Sequence, residues 1–126
     1  MDEKEVVAEY LRRLQNLDVE GLLDLFGEEC AIDMPLNDDV LRGKDKLRAF
    51  YTGLLGRWER ATVTPGAVLY GDSIAMAEFT FDLVLTDGGT LNDDTVDVFH
   101  LGPDGKISLL QAYTDTYPLR KAFGMI

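Results

Sequence analysis

The sequence predicts an α+β domain in which a curved antiparallel sheet wraps over three N-terminal helices and forms a cone. Apolar residues recur at helical spacing only in the first half of the chain. From Trp58 onward they alternate with polar residues between glycine-containing turns, as in antiparallel strands. Because helices precede a run of strands, the helices are expected to pack on one side of the sheet.

The helical half contains three segments with an apolar stripe. The first spans residues 2–16. The second is a short helix that Asp18 caps, and the apolar face of this helix includes Phe26. The third spans residues 44–55. Between the last two, AIDMP predicts a short strand stopped by Pro35, and LNDDVLRG predicts a polar loop.

The second half reads as strands separated by turn residues. WERATVT and AVLY are divided by Pro65 and Gly66, and a long alternating strand, SIAMAEFTFDLVL, follows. TDGG predicts a hairpin turn into TLNDDTVDVFHL, and GPDG predicts a turn into KISLLQAYTD. The last residues, TYPLRKAFGMI, are expected to form a short tail.

Composition excludes several functions. The 126 residues include 23 acidic and 12 basic side chains, so a formal charge of −11 argues against nucleic acid. No apolar run reaches the ~20 residues of a membrane span, and the acidic N-terminus predicts no signal peptide, so a cytoplasmic location is expected. One cysteine, one histidine and no phosphate-binding glycine loop predict neither metal nor organic cofactor.

Two aspartates interrupt or end β-branched strands. Asp97 lies inside TVDVFHL, and Asp115 ends the last strand. A two-residue hairpin turn would place Glu78 or Thr80 opposite Asp97, so all three would share one face and two carboxylates could share a proton. A four-residue GPDG turn would place Asp97 on the face of Ala112 and Asp115 on the other.

The same face has a second interpretation. It could be the solvated side of the sheet, because antiparallel sheets often have one such side. The core would then be formed by the opposite side of the hairpin, namely Ala75, Ala77, Phe79, Phe81, Val96 and Val98.

Three segments together resemble the nuclear transport factor 2-like superfamily: EYLRRLQNLDVEGLLDLFGEECAIDMP, LRGKDKLRAFY and GPDGKISLLQAYTDTYPL. The chain looks most similar to the branch that holds ketosteroid isomerases, SnoaL-like polyketide cyclases and limonene-type epoxide hydrolases. The resemblance implies a single SnoaL-like domain over residues 1–126, a pocket for a small hydrophobic ligand, and a homodimer joined through the outer face of the sheet.

The ketosteroid isomerases supply the first set of candidate residues. Tyr10 falls at their oxyanion-hole tyrosine, and Asp97 falls at their protonated aspartic acid, a carboxyl kept neutral by an apolar site. Their general base, however, aligns with Met34, which carries no proton. Asp33 is the neighbour of Met34, and on a strand it faces the other way unless a bulge intervenes.

The epoxide hydrolases supply the second set. Asp115 falls at their catalytic aspartate, and Asp33 falls where an asparagine helps to hold the water. Their arginine and second aspartate align with Glu78 and Thr80, so hydrolysis by that mechanism is disfavoured. The predicted catalytic residues are therefore Asp97, Tyr10, Asp33 and Asp115. The predicted substrate-binding residues are Glu78, Tyr51, Trp58, Phe50, Met34 and Tyr113.

Three functions follow from these candidates. The first is cofactor-free proton transfer on a small hydrophobic carbonyl compound, by an isomerase, cyclase or lyase in which Asp97 acts with Asp33 or Asp115. The second is a non-catalytic ligand-binding or dimerisation module, favoured by Met34. The third is an epoxide hydrolase or cyclase that uses Asp115 and Asp33. Each residue also has a structural interpretation: a core tyrosine for Tyr10, a polar loop edge for Asp33 and a helix cap for Asp115.

Overall fold

The computed structural model describes residues 1–34, 37–122 and 124–125, and it shows the predicted α+β fold with a curved open sheet. In chain order its elements are α1 (Glu3–Gln15), α2 (Val19–Leu23), β1 (Phe26–Asp33), β2 (Leu41–Arg42), α3 (Lys44–Leu55), β3 (Trp58–Tyr70), β4 (Ile74–Leu85), β5 (Thr90–Leu101), β6 (Ile107–Thr114) and α4 (Thr116–Ala122).

The strands of the described part of the chain lie in one sheet, in the order β2-β1-β6-β5-β4-β3. Strands β3 to β6 pair antiparallel with their chain neighbours, as the turns predict. Strand β1 pairs parallel with β6. The sheet is therefore mixed at this one junction.

Helix α1 packs its apolar stripe against the sheet, and its ends are defined by charged residues. The Asp2 side chain accepts a hydrogen bond from the Glu5 amide at 2.9 Å, while Glu5 reaches back to the Asp2 amide as a capping box. Arg12 and Arg13 occupy the last turn, where they complement the helix dipole. The helices of the described residues are all too short or too polar to cross a membrane.

Four element boundaries differ from the sequence prediction. Strand β1 begins at Phe26, because its fully buried ring follows the inner face of the sheet and not the face of α2. Strand β2 forms within the predicted loop by pairing with β1. Strand β3 continues past Pro65, where a bulge absorbs the proline. Residues 116–122 of the predicted tail form α4, and the predicted stop at Pro35 lies outside the described residues.

The hairpin between β4 and β5 has a register that the sequence analysis did not predict. Its loop contains three residues, Thr86 to Gly88, and the Leu85 amide donates to the Gly89 carbonyl at 2.8 Å. Gly88 has φ +88°, the left-handed conformation that such loops require. Ala77 is consequently the residue opposite Asp97.

The prediction that Glu78 or Thr80 shares a face with Asp97 is therefore wrong. Strand side chains alternate, so a shift of one residue moves every side chain to the other face. Glu78 pairs with Val96 on the outer face, whereas Asp97 lies on the inner face with Ala77. Val96 and Val98, expected in the core, are half-buried on the outer face.

The turn between β5 and β6 differs from the predicted four-residue turn, because Leu101 pairs with Ile107 and a bulge follows, but it places Asp97 on the predicted face. Asp97 lies opposite Ala112, and Thr95 lies opposite Thr114. The inner face of β5 thus carries Asp93, Thr95 and Asp97, each no more than 4% exposed. The interpretation of this face as the solvated side of the sheet is wrong.

The hairpin loop generates a stability prediction. Gly88→Ala should lower the free energy of unfolding by about 1 kcal/mol, because a Cβ at positive φ is strained even where nothing lies within 4 Å. Gly53→Ala is the matched control, since it lies in α3 with equally open surroundings and should stabilise by about 0.5–1 kcal/mol. Urea denaturation of both variants measures the difference; equal effects would contradict the strain at Gly88.

Candidate functional site

A cavity lies between the inner face of the sheet and helices α1 and α3. Its volume is about 70 Å³, counted as the space open to the centres of water-sized spheres, and its walls are largely apolar. That is enough for several waters or for a small organic molecule. Trp58 at the start of β3 and Phe50 and Leu54 on α3 form part of the wall.

Polar side chains enter this cavity from two adjacent strands. Strand β5 contributes Asp93, Thr95 and Asp97, which alternate with outward-facing residues, and β6 contributes Thr114. The hydroxyls of Thr95 and Thr114 lie 2.9 Å apart and share a hydrogen bond. The result is a polar stripe, Asp93–Thr95–Asp97, across an apolar wall.

Asp97 is a carboxyl with little to stabilise its charge. It is 3% exposed, and its hydrogen-bond partner is the Thr95 hydroxyl at 3.5 Å, longer than an ordinary O–H···O bond. Burial raises the pKa of Asp97 to about 7, against a small opposing effect of that hydroxyl. At neutral pH a large fraction of Asp97 is therefore protonated and able to donate.

Two buried phenols lie close to Asp97. The hydroxyls of Tyr10 on α1 and Tyr51 on α3 are 2.8 Å apart. Burial, followed by the neighbouring Tyr51 and the Asp97 charge, raises the pKa of Tyr10 well above its usual range. Burial likewise raises the pKa of Tyr51. Because one proton suffices for the shared hydrogen bond, the second phenol proton remains free to donate.

Asp93 occupies the other end of the stripe and differs from Asp97 in its partners. Its Oδ1 accepts a hydrogen bond from the Asp94 amide at 3.0 Å, whereas its buried Oδ2 has no hydrogen-bond partner. Burial raises the pKa of Asp93 to about 6, with smaller contributions from the charges of Asp115 and Asp94, while the Asp94 amide opposes the rise. Asp93 is thus mostly ionised at neutral pH.

These groups form two chemically different ends. Asp97 and the Tyr10–Tyr51 pair offer neutral donors to an oxygen that gains negative charge. Asp93 offers an acceptor. Two buried carboxyls on one cavity wall, one beside hydroxyl groups and one with an unpartnered oxygen, can divide the roles of acid and base between them.

The structure brings six of the predicted site residues to this cavity. Five form its wall around the sixth, Asp97: Tyr10, Tyr51, Phe50, Trp58 and Met34. Met34 lies one residue beyond the end of β1 and lines the cavity with Ile32, so this part of the wall is apolar.

The other four lie elsewhere. Asp33 is exposed, because Ile32 and Met34 on either side of it face the cavity. Asp115 is also exposed, and it caps α4 by accepting from the Tyr117 amide at 3.1 Å. Glu78 and the 55%-exposed Tyr113 lie on the outer face with Asp115. The predicted partnership of Asp97 with Asp33 or Asp115 is corrected accordingly.

Sequence reasoning missed Asp93, Thr95 and Thr114 as site residues. The signal was present in the spacing, since Asp93, Thr95 and Asp97 lie two residues apart and must share a face. What was missing was the hairpin register that turns this face inward. Within the described residues, no group of three or more His, Cys, Asp and Glu side chains is placed to hold a metal ion.

Comparison with known proteins agrees with this fold. The model of the SnoaL-like domain family matches residues 7–110. The structure of the epoxide hydrolase/cyclase-like enzyme SalBIII, which is implicated in pyran ring formation in the polyether salinomycin, is similar over 91% of this chain and 92% of its own, with 25% identity and a TM-score of 0.79. An NTF2-like protein of unknown function from Burkholderia pseudomallei is similar over 94% of both chains, with 15% identity and a TM-score of 0.81.

Burial of Asp97 predicts a pH dependence of stability. Between about pH 4 and pH 7 the folded chain holds a proton on Asp97 that the unfolded chain has lost, so stability falls as pH rises through this range and is level above it. The loss attributable to Asp97 is roughly 3–5 kcal/mol.

Urea denaturation at about pH 4 and about pH 8 measures this change. Asp93 contributes in the same direction up to about pH 6, so the test compares wild type with Asp97→Asn and not wild type alone. The variant should lose most of the Asp97 component. A variant whose stability falls as steeply as that of wild type would show that Asp97 titrates normally.

Proposed function

The chain belongs to the SnoaL-like domain family, and on that premise we propose that it catalyses cofactor-free proton transfer on a small hydrophobic carbonyl compound, as an isomerase or cyclase. The compound binds in the cavity between the sheet and helices α1 and α3. Family membership alone does not define a reaction, because one fold hosts many chemistries. The site carries the proposal.

The decisive observation is Asp97, a carboxyl buried on an apolar wall beside two phenols. A buried carboxylate without strong partners is costly, so the neutral acid is favoured there. A neutral acid donates a hydrogen bond without bringing a charge that would repel the developing oxyanion. This is useful where a carbonyl oxygen becomes an enolate.

The reaction follows from the two ends of the site. The substrate carbonyl accepts from Asp97 and from the free proton of the Tyr10–Tyr51 pair. Loss of a C–H proton to a base leaves an enolate, whose negative oxygen those donors stabilise. Removing one such donor commonly lowers the rate about 10²–10³-fold. Return of the proton to another carbon completes an isomerisation, whereas attack of the enolate on a second carbonyl forms a ring.

Met34 favours one alternative, a non-catalytic ligand-binding module. The side chain at the usual base position carries no proton, so a chain that had lost its chemistry would look the same at this point. Epoxide chemistry through Asp115 and Asp33 is disfavoured, although SalBIII is similar, because both carboxylates point away from the cavity.

We also propose a homodimer formed through the outer face of the sheet. Ile74, Met76 and Tyr113 are 38%, 37% and 55% exposed there, and the half-buried Val98 lies between Met76 and Gln111. Exposed apolar side chains on adjacent strands are typical of a protein interface. Phe79 and Phe81 do not contribute to this surface, because they line the cavity on the inner face.

Asp97→Asn tests the proton transfer. Mesityl oxide, a small conjugated ketone, is incubated with the protein in heavy water, and proton NMR follows exchange of its methyl hydrogens. Wild type should accelerate exchange, and Asp97→Asn should lower the rate about 10²-fold, because the amide cannot supply the proton of a carboxylic acid. Its melting temperature should be equal or higher, since a buried acid is removed.

Asp82→Asn is the matched control, because Asp82 is a strand aspartate on the outer face that binds Asn92 at 2.6 Å. It should leave the exchange rate unchanged. Fluorescence of Trp58, the single tryptophan, reports ligand entry independently. Binding without accelerated exchange would support the non-catalytic alternative.

Sedimentation velocity tests the dimer. Wild type at micromolar concentration should sediment as a dimer, and Met76→Glu should shift it to monomer by placing a charge in the apolar interface. Thr52→Glu, at an exposed position on α3 and away from the outer face of the sheet, is the control for adding a charge to the surface. A wild-type monomer would contradict the proposal.

A further inference from the structure

We propose that Asp93 is the proton-accepting residue of this site, and that β5 thereby supplies the base that β1 lacks. The inference rests on the proposed function and names the residue that the proposed reaction still needs. Asp93 would act on a carbonyl compound whose acidic C–H lies several bonds from its oxygen.

The first support is the unpartnered oxygen. Asp93 is 3% exposed and faces the cavity, yet its Oδ2 has no hydrogen-bond partner among the described residues. Buried carboxyl oxygens are nearly always satisfied in folded proteins, and an exception needs an explanation. A substrate that presents a proton to Oδ2 would be one.

The second support is the contrast between the two oxygens. The Asp94 amide holds Oδ1 at 3.0 Å and so fixes the carboxylate against its own strand. Oδ2 has no such partner among the described residues, and the Asp93 side chain lines the cavity together with Thr95 and Thr114. A general base needs this combination of a held group and a free lone pair within reach of the substrate.

The third support is position. Met34 fills the usual place of the base and also lines the cavity, so β1 offers no acceptor. Asp33 and Asp115 point away from it. Of the carboxylates on the described residues that line this cavity, Asp93 and Asp97 remain, and Asp97 is committed as a donor beside Tyr10 and Tyr51.

Spacing along β5 indicates the substrate class. Asp93 and Asp97 are four residues apart on one strand, so their Cα atoms are separated by roughly 13 Å. They cannot share a proton directly, and a ligand must lie between them. If its carbonyl oxygen binds at the Asp97 end, the proton reaching Asp93 comes from a distant carbon. Such a proton is acidic when a conjugated double bond connects that carbon to the carbonyl.

The step balances without an oxidant or reductant. Asp93 takes the proton, the electron pair of the broken C–H bond forms a new C=C bond, and the original C=C bond shifts toward the carbonyl. The negative charge arrives on the carbonyl oxygen, where Asp97 and the phenol donate to it. Protonated Asp93 then returns its proton to carbon, or exchanges it with solvent.

Mesityl oxide tests this inference within one molecule. Its acetyl methyl is adjacent to the carbonyl, and two further methyl groups lie at the far end of the conjugated double bond. Wild type should accelerate exchange chiefly at the far methyl groups. Asp93→Asn should lower that rate at least about 10²-fold, the usual contribution of a general base. Its affinity for mesityl oxide, read from Trp58 fluorescence, should change less than about threefold.

The pH profile gives a second readout that a structural role would not alter. The wild-type rate should rise as Asp93 ionises near pH 6 and fall as Asp97 loses its proton near pH 7. The charges of Asp94 and Asp115 act on Asp93 from the outer face, and Tyr10 and Tyr51 lie near Asp97, so all four are retained in the compared variants. The residual exchange rate of Asp93→Asn should not rise between about pH 5 and about pH 6, because the variant has no carboxyl at this position to ionise.

The outcomes separate the two proposals. No accelerated exchange in wild type would overturn the proposed function, and this inference with it. Asp97→Asn could abolish exchange while Asp93→Asn keeps the exchange rate within a few-fold of wild type. That result would support the proposed function and overturn the role of Asp93. Exchange confined to the acetyl methyl would overturn the distant-carbon substrate class. If Asp93→Asn does not fold, the smaller Asp93→Ser gives the same comparison.

Discussion

The register of the β4–β5 hairpin is the constraint on which the candidate site depends. A loop of three residues ends at Gly88 and places Ala77 opposite Asp97. With a loop one residue shorter, Asp93, Thr95 and Asp97 would share a face with Glu78, and the inner face of β5 would carry Asn92, Asp94, Val96 and Val98. The hairpin loop is therefore a determinant of the cavity's chemistry as well as of the turn.

Burial of Asp93, Thr95 and Asp97 lowers the stability of the fold, and hydrogen bonds and protonation reduce this loss. Thr95 and Thr114 satisfy one another at 2.9 Å, and the phenols of Tyr10 and Tyr51 do the same at 2.8 Å. Asp97 is accommodated mainly by keeping its proton. Asp93 keeps one oxygen unsatisfied. Destabilising arrangements of this kind are typical of functional sites, where activity requires buried polar groups that lower the stability of the fold.

The helices decide what each end of the polar stripe can do. Tyr10 reaches the cavity from α1 and Tyr51 from α3, and both arrive near Asp97. The ring of Tyr10 also packs edge-on against Phe99, with ring centroids 5.1 Å apart, so its hydroxyl has little freedom to move. Asp93 keeps an oxygen without a hydrogen-bond partner among the described residues, so donors lie at one end of the stripe and an acceptor lies at the other.

The sequence by itself determined the class of fold, the helix boundaries of α1 and α3, and the alternation that puts Asp93, Thr95 and Asp97 on one face. Helix stripes and strand alternation are local properties, which the spacing of apolar residues carries directly. The GPDG turn likewise predicted the face on which Asp97 lies, although the observed register pairs Asp97 with Ala112 and the four-residue turn would pair it with Leu110. The resemblance of Tyr10 and Asp97 to site residues of ketosteroid isomerases also came from the sequence alone.

Tertiary structure decided which way that face points. TDGG admits loops of two or three residues, and the choice rests on which strand face the helices can cover. The same long-range packing made Phe26 part of a strand, turned Asp33 and Asp115 outward, and brought Tyr51 to Tyr10 across 41 residues of chain. Distances between separate elements are set by packing, and no local pattern of residues encodes them.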